Sequence, residues 1–442
     1  MARLFGTDGV RGVANEDLTP DLALALGRAA GEVLAAAGAT VVVGRDTRVS
    51  GPMLEGALVA GLCSAGAHVE LAGVIPTPAV AFLTLERGAA AGAVISASHN
   101  PVPDNGIKFF SDLGVKIGDE TEAAIERHLE HPPASRPTGT DVGGVAVLYD
   151  APERYTRHLI GALDGSLDGL KVVLDCAFGA ASVVAEDVFG RAGARVTMLN
   201  DDQDGTRINV DSGSTSLDHL QSEVRKRRAD LGIAFDGDAD RALAVDETGA
   251  VVDGDQIIGL LALSMAKAGH LQNNVIVSTV MANLGLVRTL REEGIEVVRA
   301  PVGDRFVAAE MVARGAVLGG EQSGHLIFGA HSTTGDGILT GLKLAEAMRT
   351  SGEPLSKLAD VFESWPQRLI NVPVRDRNEL ESCEPLWELV RSADLALGDA
   401  GRILLRASGT EPVVRVMVEA EDEGVADITA DHLADAVRLH LG

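Results

Sequence analysis

Three stretches of the chain repeat one pattern of apolar and polar positions. Each begins with a run of β-branched apolar residues, continues through a turn into a segment with apolar residues at helical spacing, and ends with Gly followed three residues later by Val in a new apolar run. The pattern predicts a strand, a helix and a second strand in each copy. The first strands are predicted at Thr40–Gly44, Val172–Leu174 and Val275–Val277, with helices that begin near Pro52, Ala181 and Leu284.

Strands that alternate with helices form parallel βαβ units, so three copies predict three similar α/β domains with mainly parallel mixed sheets. The pattern changes after about Trp365. There, three predicted strands and two predicted helices indicate a smaller α+β C-terminal domain. We expect domain boundaries at 1–153, 154–253, 254–367 and 368–442.

Each of the three copies contains a further apolar strand that ends in a polar loop. The loops are Ser96–Pro101, Asp236–Arg241 and Gly320–His325. In open α/β sheets, ligands bind beyond the carboxyl ends of the strands. We therefore expect the three loops to converge on one cleft.

Charge narrows the range of partners. The 442 residues include 64 acidic residues against 38 Lys and Arg, which gives a formal net charge of −26. A field of that sign repels nucleic acid and anionic membrane surfaces, so neither is expected as a partner. A phosphorylated small molecule would be repelled as well, unless a local cluster of Arg, Lys and backbone N–H groups reversed the field.

Cysteine usage and the N-terminus bear on the compartment. Cys63, Cys176 and Cys383 form no CxxC pair and have no His partner at metal-binding spacing, so we expect free thiols in a reducing compartment. The N-terminus lacks the apolar segment of a signal peptide, and no apolar run reaches the roughly 18 residues of a membrane span. The expected location is the cytoplasm.

The loop Asp236–Arg241 carries three alternating carboxylates, Asp236, Asp238 and Asp240, on a background of Gly and Ala. Hard oxygen ligands of this kind suit magnesium or calcium. An EF-hand is excluded, because Arg241 stands where that loop needs Gly and the flanking segments are predicted strands. The alternative to a metal site is a solvated acidic turn.

The loop Ser96–Pro101 places hydroxyl groups at the end of an apolar strand. Ser98 and His99 alone do not make a catalytic triad, because adjacent residues seldom place the imidazole to take the serine proton. Lys108 offers a nearby cation that could serve proton transfer or hold a phosphate. The alternative interpretations are a turn serine and a solvated lysine.

The segment Arg406–Arg415 joins two predicted strands through a turn with small hydroxyl residues, and Arg415 can bind two phosphate oxygens at once. This is the positive cluster that a phosphorylated ligand would require, and the alternative interpretation is a plain hairpin turn. Arg11, Arg45 and Arg48 could add to it, although surface salt bridges explain them almost as well.

The loop Gly320–His325 combines a carboxylate, a hydroxyl and an imidazole. Glu321 and Ser323 suit hydrogen bonds to sugar hydroxyls, and His325 suits proton exchange.

The four loops resemble loops of the α-D-phosphohexomutase superfamily and occur in the same order along the chain. In chain order, the superfamily has a phosphoserine loop, a metal loop, a sugar loop and a phosphate loop, and the matching segments here are Ser96–Pro101, Asp236–Arg241, Gly320–His325 and Arg406–Arg415. The start Leu4–Gly12 and the forms Ser96–Pro101 and Gly320–His325 resemble the bacterial phosphoglucosamine mutase branch. The phosphomannomutase/phosphoglucomutase branch tends to carry Met where Gln322 stands. The segment Gly329–Gly337 resembles the family's next segment only loosely, and no role is assigned to it.

The resemblance implies a fold of four domains around a central cleft and a role for each loop. It makes Ser98 the phosphorylated residue, with one magnesium ion bound by Asp236, Asp238, Asp240 and a phosphoserine oxygen. The resemblance also implies that Arg241 contacts the transferring phosphoryl group and that Glu321 and Ser323 contact sugar hydroxyls. Lys108 and His325 would be the acid and the base, in either order. The residues implied to bind the second phosphate are Ser408, Gly409, Thr410 and Arg415.

The implied reaction interconverts glucosamine 6-phosphate and glucosamine 1-phosphate through a 1,6-bisphosphate, with glucosamine or glucose 1,6-bisphosphate as activator. Two alternatives stay open from the sequence: phosphomannomutase/phosphoglucomutase activity, and a non-enzymatic protein that binds a sugar phosphate or a divalent cation. The small-molecule partner is a sugar phosphate. A homodimer also comes into consideration, because related bacterial enzymes are often dimers.

Overall fold

A computed structural model describes residues 3–6, 8–133, 135–408 and 412–442 of the chain. The chain divides into two compact units, Met1–Met281 with Gly294–Val361 and Ala282–Glu293 with Phe362–Gly442. Within the described residues, none of the helices combines the length and the apolar character needed to cross a membrane.

The first sheet of the larger unit has six strands in the order β1-β5-β4-β2-β3-β6. β2, β3 and β4 run parallel, as predicted, whereas β5 is antiparallel to both β4 and β1. Its strands are β1 (Val10–Val13), β2 (Thr40–Arg45), β3 (His68–Val74), β4 (Ala91–Ile95), β5 (Asp104–Ser111) and β6 (Val145–Val147), and its helices are α1 (Pro20–Leu34), α2 (Gly51–Ser64), α3 (Thr77–Glu86) and α4 (Asp119–Glu130).

The second sheet has five strands in the order β11-β10-β9-β7-β8. The strands β7, β8 and β9 are parallel and β10 is antiparallel to β9, which repeats the arrangement of the first sheet. The elements are α5 (Ala151–Gly161), β7 (Lys171–Asp175), α6 (Ala185–Arg191), β8 (Arg195–Leu199), α7 (Asp218–Arg227), β9 (Leu231–Phe235), β10 (Ala242–Asp246) and β11 (Val251–Val252).

The helix predicted from Ala181 is shorter than the sequence pattern suggests. Residues Ala180–Val183 form a 3-10 turn, and α6 begins only after Val184, whose φ of −132° is not helical. The start of this segment forms a hydrogen bond outside the helix, because the Ala180 N–H donates to the carbonyl oxygen of Gly237 at 2.8 Å. A contact with the predicted metal loop therefore overrides the local helical pattern.

The third sheet has four strands in the order β13-β12-β14-β15, with β12, β13 and β14 parallel and β15 antiparallel to β14. The elements of this part are α8 (Gly254–Ala268), β12 (Val275–Thr279), α9 (Leu284–Glu292), β13 (Glu296–Ala300), α10 (Asp304–Arg314), β14 (Leu318–Gly320), β15 (Leu326–Phe328), α11 (Gly337–Ser351) and α12 (Leu355–Leu358). The helix α9 belongs to the smaller unit. The prediction of three similar, mainly parallel mixed sheets is confirmed.

The smaller unit contains an antiparallel sheet in the order β16-β18-β17. Its elements after α9 are β16 (Gln367–Pro373), α13 (Glu384–Leu397), β17 (Gly401–Ala407), β18 (Val413–Ala420) and α14 (Glu423–Leu441). Its core is formed by β-branched residues of the sheet, such as Val414 and Val416, and by α14 residues such as Leu433. This agrees with the predicted α+β C-terminal domain.

Candidate active site

The three polar loops of the larger unit occupy equivalent positions in their sheets. Each loop leaves a parallel strand, β4, β9 or β14, and leads directly into the antiparallel strand beside it. Ser98 in the first loop contacts Asp236 in the second, and Asp240 in the second contacts His325 in the third. The expected convergence of the loops is therefore observed.

Ser98 is buried in a strained backbone conformation. Its φ of +51° lies in the left-handed region that residues with a side chain rarely adopt. The hydroxyl donates to Asp236 Oδ2 at 2.5 Å, and the backbone N–H donates to the hydroxyl of Ser96 at 2.9 Å. The Ser98 hydroxyl is thus held at the aspartate loop by contacts within the protein.

His99 lies closer to Ser98 than the sequence suggested. Its Nδ1 is 3.3 Å from Ser98 Oγ. Burial, assisted by the positive charges of Arg241 and Arg11, lowers the pKa of His99 to about 4. At neutral pH the imidazole is therefore uncharged and adds no positive charge beside Ser98.

Asp236, Asp238 and Asp240 offer one oxygen each within 4.8 Å of one another, and all three are buried. Burial, together with the charges of Asp240 and Asp238, raises the pKa of Asp236 well above its ordinary value. Among the described residues, Asp238 Oδ1 and Asp240 Oδ1 are buried without a hydrogen-bond partner. Buried carboxylate oxygens left in this state fit a hard divalent cation, and they do not fit a solvated acidic turn.

Part of this negative charge is balanced by Lys108, which is buried rather than solvated. Its ammonium group lies 3.0 Å from Asp238 Oδ2, 3.7 Å from Asp240 Oδ2 and 3.5 Å from Asp8 Oδ2. Burial lowers the pKa of Lys108, but these three carboxylates outweigh it and the net shift is upward. Lys108 is therefore in the protonated form.

His325 is buried between two carboxylates. Its Nδ1 lies 3.6 Å from Asp240 Oδ2, and its Nε2 lies 3.5 Å from Asp304 Oδ2. Burial lowers the pKa of His325, but the charges of Asp240 and Asp304 raise it above the ordinary value. The Gly335 N–H donates to Nε2 at 3.0 Å, a bond that only a neutral ring with its proton on Nδ1 can accept.

The other predicted residues of the larger unit lie on the same loops. Glu321 Oε1 accepts a hydrogen bond from the Gly303 N–H at 3.1 Å, and Ser323 Oγ lies 3.5 Å from Glu321 Oε2. Arg241 Nε lies 3.8 Å from Asp240 Oδ1. Burial lowers the pKa of Arg241, but the charges of the surrounding carboxylates outweigh this effect and the net shift is upward, so a fixed positive charge stands beside the aspartates.

Of the predicted phosphate loop in the smaller unit, Gly409 and Thr410 lie outside the described residues. Ser408 is buried at the end of β17, and its carbonyl oxygen accepts from Arg377 at 2.7 Å. Arg415 on β18 is paired across the sheet with Arg406 on β17. Burial and the charge of Arg415 lower the pKa of Arg406. Two neighbouring guanidinium groups favour an anion at this end of the sheet.

Arg48 has a role that the sequence did not suggest. It is fully buried, and its five N–H groups donate to Asp46 and to the carbonyl oxygens of Ser98, Asn100, Pro101 and Asp104. Neither a phosphate contact nor a surface salt bridge describes it, because its donors are occupied by Asp46, by three carbonyl groups of the loop Ser96–Pro101 and by that of Asp104.

Arg45 and Arg11 also bind carboxylates of the protein. Arg45 Nε donates to Glu55 at 2.6 Å, and Arg11 pairs with Asp8 and donates to Asn100 at 3.2 Å.

Sequence reasoning missed a second layer of charged residues around the loops. Lys116 pairs with both Asp8 and Asp304, and Asp304 reaches His325. Thr77 Oγ1 donates to Asp238 Oδ2 at 2.6 Å. These residues come from distant parts of the chain and form no local motif. The one signal in the sequence was the position of Asp8 in the N-terminal segment Gly6–Gly12, which is part of the start of the chain that resembles the family.

A cavity of about 920 Å³ lies between α10 and the segment after β5. Its lining is mainly apolar and includes Ile117, Met311 and Val312, and Lys116 and Asp304 are among its polar residues. An apolar lining does not match a sugar phosphate. The polar loops are therefore the better candidate for the substrate site.

The sequence matches the phosphoglucomutase/phosphomannomutase domain families along its length. These are alpha/beta/alpha domain I at residues 2–135, domain II at 153–249, domain III at 253–365 and the C-terminal domain at 369–436.

Individual proteins are similar over the full chain. A phosphoglucosamine mutase of Streptomyces griseus is 54% identical with all of both chains covered, and one of Frankia alni is 52% identical over 100% of this chain and 99% of that protein. A solved structure of a phosphoglucomutase/phosphomannomutase family protein from Burkholderia thailandensis has a TM-score of 0.84 at 27% identity, covering 99% of this chain and 97% of that one.

Proposed function

The chain belongs to the phosphoglucomutase/phosphomannomutase family, and we propose that it is a phosphoglucosamine mutase, an isomerase that interconverts glucosamine 6-phosphate and glucosamine 1-phosphate. Full-length identity above 50% to phosphoglucosamine mutases supports this activity over that of the phosphomannomutase branch. The observation that carries the proposal is the Ser98 hydroxyl, buried against Asp236 of the carboxylate loop.

Ser98 is the phosphoryl carrier. The phosphoryl group passes from Ser98 Oγ to the anomeric hydroxyl of glucosamine 6-phosphate: the bond from phosphorus to Oγ breaks, a bond to the sugar oxygen forms, the sugar hydroxyl gives up its proton, and the released Oγ gains one. The 1,6-bisphosphate then turns round, and its 6-phosphoryl group returns to Ser98 Oγ, which gives up its proton, while the released sugar oxygen gains one. Atoms and charge balance without an added reactant.

Magnesium is the cofactor that fits the loop. Asp236, Asp238 and Asp240, with a phosphoserine oxygen, would hold one ion, and the two buried carboxylate oxygens without partners support that assignment. The ion would supply charge neutralisation for the transferring phosphoryl group. Arg241 adds a fixed positive charge on the same side.

Lys108 and His325 exchange the protons. Lys108 is in its acid form, held by Asp8, Asp238 and Asp240. His325 stands at the end of the sugar loop, where Glu321 and Ser323 bind sugar hydroxyls. Both groups are fixed by neighbours, which suits a reaction that depends on positioning.

The second phosphate binds to Ser408, Gly409, Thr410 and Arg415 in the smaller unit. The pairing of Arg415 with Arg406 across the sheet supports an anion site there. We further propose a cytoplasmic location, a sugar 1,6-bisphosphate as activator, no nucleic-acid or membrane partner, and a homodimer as the assembly.

The test is turnover on three sugar phosphates followed by phosphorus NMR. The purified protein with magnesium and a catalytic amount of the bisphosphate should convert glucosamine 6-phosphate with a kcat/KM at least about tenfold above those for mannose 6-phosphate and glucose 6-phosphate. Equal or inverted values would assign the chain to the other branch. Absence of turnover on all three would leave a binding protein and overturn the proposal.

A further inference from the structure

The segment between β15 and α11 received no role from the sequence, yet its end lies between two catalytic loops. Three consecutive backbone N–H groups donate out of this turn. Gly335 donates to His325 Nε2 at 3.0 Å, Asp336 to the carbonyl oxygen of Leu326 at 3.1 Å, and Gly337 to that of Ala239 at 3.0 Å. One turn therefore binds the sugar loop and the metal loop together.

The turn has no room for larger residues. A Cβ at Gly335 would lie 2.4 Å from His325 Nε2, and a Cβ at Gly337 would lie 2.3 Å from the carbonyl oxygen of Arg241. Both distances are shorter than real Cβ contacts allow, so the two glycines permit a close approach to the imidazole and to the end of the metal loop.

Asp336 is fixed from outside the catalytic loops. Its Oδ2 accepts from the hydroxyl of Tyr155 on α5 at 2.7 Å, and its Oδ1 caps α11 by accepting from the Leu339 N–H at 2.9 Å. Both partners are buried. The side-chain hydrogen bonds of Asp336 to Tyr155 and Leu339 therefore act on the turn.

We propose that Gly335, Asp336 and Gly337, anchored by Tyr155, are positioning residues that hold His325 in register with the metal loop. This inference rests on the proposed mutase function. The turn orients the imidazole by bonding Nε2, which leaves the Nδ1 proton directed at Asp240, and it fixes Ala239, which lies between Asp238 and Asp240. The turn thus keeps the imidazole of His325 and the three aspartates, which lie on separate loops, at a fixed distance and orientation from each other.

A double-mutant cycle tests this coupling. Gly335→Ala should lower kcat on the order of 100-fold with KM changed less than about twofold, because the nearest atoms to the new methyl group all belong to the imidazole of His325. In a His325→Ala background the same substitution should change kcat less than about twofold. Gly329→Ala, in the same segment with its nearest neighbour at 3.5 Å, is the matched control and should behave as the parent protein.

A second variant keeps the inference testable if Gly335→Ala fails to fold. Tyr155→Phe removes only the hydroxyl that holds Asp336, and it should lower kcat roughly tenfold at unchanged KM, again with little effect in the His325→Ala background. Tyr149, the other tyrosine of the chain, is 89% exposed, so Tyr149→Phe is the control.

The outcomes separate this inference from the function. A wild-type protein without mutase turnover refutes both. If the wild type turns over and His325→Ala keeps full activity, the positioning role is overturned and the mutase function stands. The same conclusion follows if Gly335→Ala and Tyr155→Phe cause equal losses of kcat in the presence and in the absence of His325. Losses that vanish without His325 support it.

Discussion

At the scale of single residues, the geometry around Ser98 depends on few contacts. Ser98 adopts a left-handed φ of +51°, and its N–H is bound by Ser96 Oγ, which in turn donates to Asp46 Oδ2 at 2.7 Å. The position of Ser96 in the loop alone suggests no effect on Ser98. The two hydrogen bonds of its hydroxyl show instead that Ser96 supports the backbone of Ser98. Its hydroxyl helps to maintain a backbone conformation that costs on the order of 1–3 kcal/mol.

Asp238→Asn tests the metal assignment. The substitution keeps the shape of the side chain but removes one of three charges, so magnesium binding should weaken at least about tenfold and higher magnesium should recover part of kcat. Activity is measured against magnesium concentration for both proteins, with Asp202→Asn on an exposed loop as control. Superimposable curves for Asp238→Asn and wild type would contradict a metal role.

Arg415→Lys tests the phosphate site of the smaller unit. A lysine keeps the charge beside Arg406 but binds phosphate oxygens through a single point, so KM for glucosamine 6-phosphate should rise about tenfold or more. Arg368→Lys, on the outer strand β16 and paired at the surface with Asp427, is the control. An unchanged KM would remove Arg415 from substrate binding.

The candidate site could be predicted only where residues of one loop carry its chemistry. The three aspartates and Ser98 lie at strand ends in recognisable loops, and the structure brings them together. The roles of Asp46, Arg48 and Tyr155 could not be found in this way. They act through contacts across 50 or more positions of sequence, such as Arg48 to Ser98, and these contacts exist only after the sheets form.

At the scale of elements, the strands were the easiest part to predict. Buried parallel strands have continuous β-branched runs, so β7, β9 and β12 fall where the sequence places them. The helix after β7 was overestimated because Ala180 bonds to Gly237. The sequence did not predict that the strand after each functional loop runs antiparallel to the strand before it. Apolar runs carry no information about strand direction.

Arg48→Lys tests how the loop Ser96–Pro101 is held. Lysine can replace the charge next to Asp46 but not five directed donors, so carbonyl groups of the loop lose partners. We expect the free energy of unfolding to fall by about 1–3 kcal/mol and kcat to fall about tenfold or more. Chemical denaturation and steady-state kinetics measure both quantities. Arg87→Lys, paired with Glu70 at the surface, is the control, and a kcat equal to wild type in Arg48→Lys would refute this role.

At the scale of the whole molecule, the net charge of −26 opposes a phosphorylated substrate. The screening length falls from about 30 Å at 0.01 M salt to about 10 Å at 0.1 M. Added salt should therefore weaken long-range repulsion more than contacts inside the site, and KM for glucosamine 6-phosphate should fall over this range. Initial rates at several NaCl concentrations provide the test. A KM that rises throughout would show that the local cationic groups dominate.

Phosphoryl transfer through Ser98 can be followed by mass analysis of the intact protein and of its Ser98 peptide. After reaction with glucosamine 1,6-bisphosphate, the wild type should carry one phosphoryl group on Ser98. Addition of glucosamine 6-phosphate should remove it and form the bisphosphate, whereas Ser98→Ala should stay unmodified and lose nearly all turnover. Turnover by a protein that never carries phosphate on Ser98, or wild-type rates in Ser98→Ala, would contradict the account.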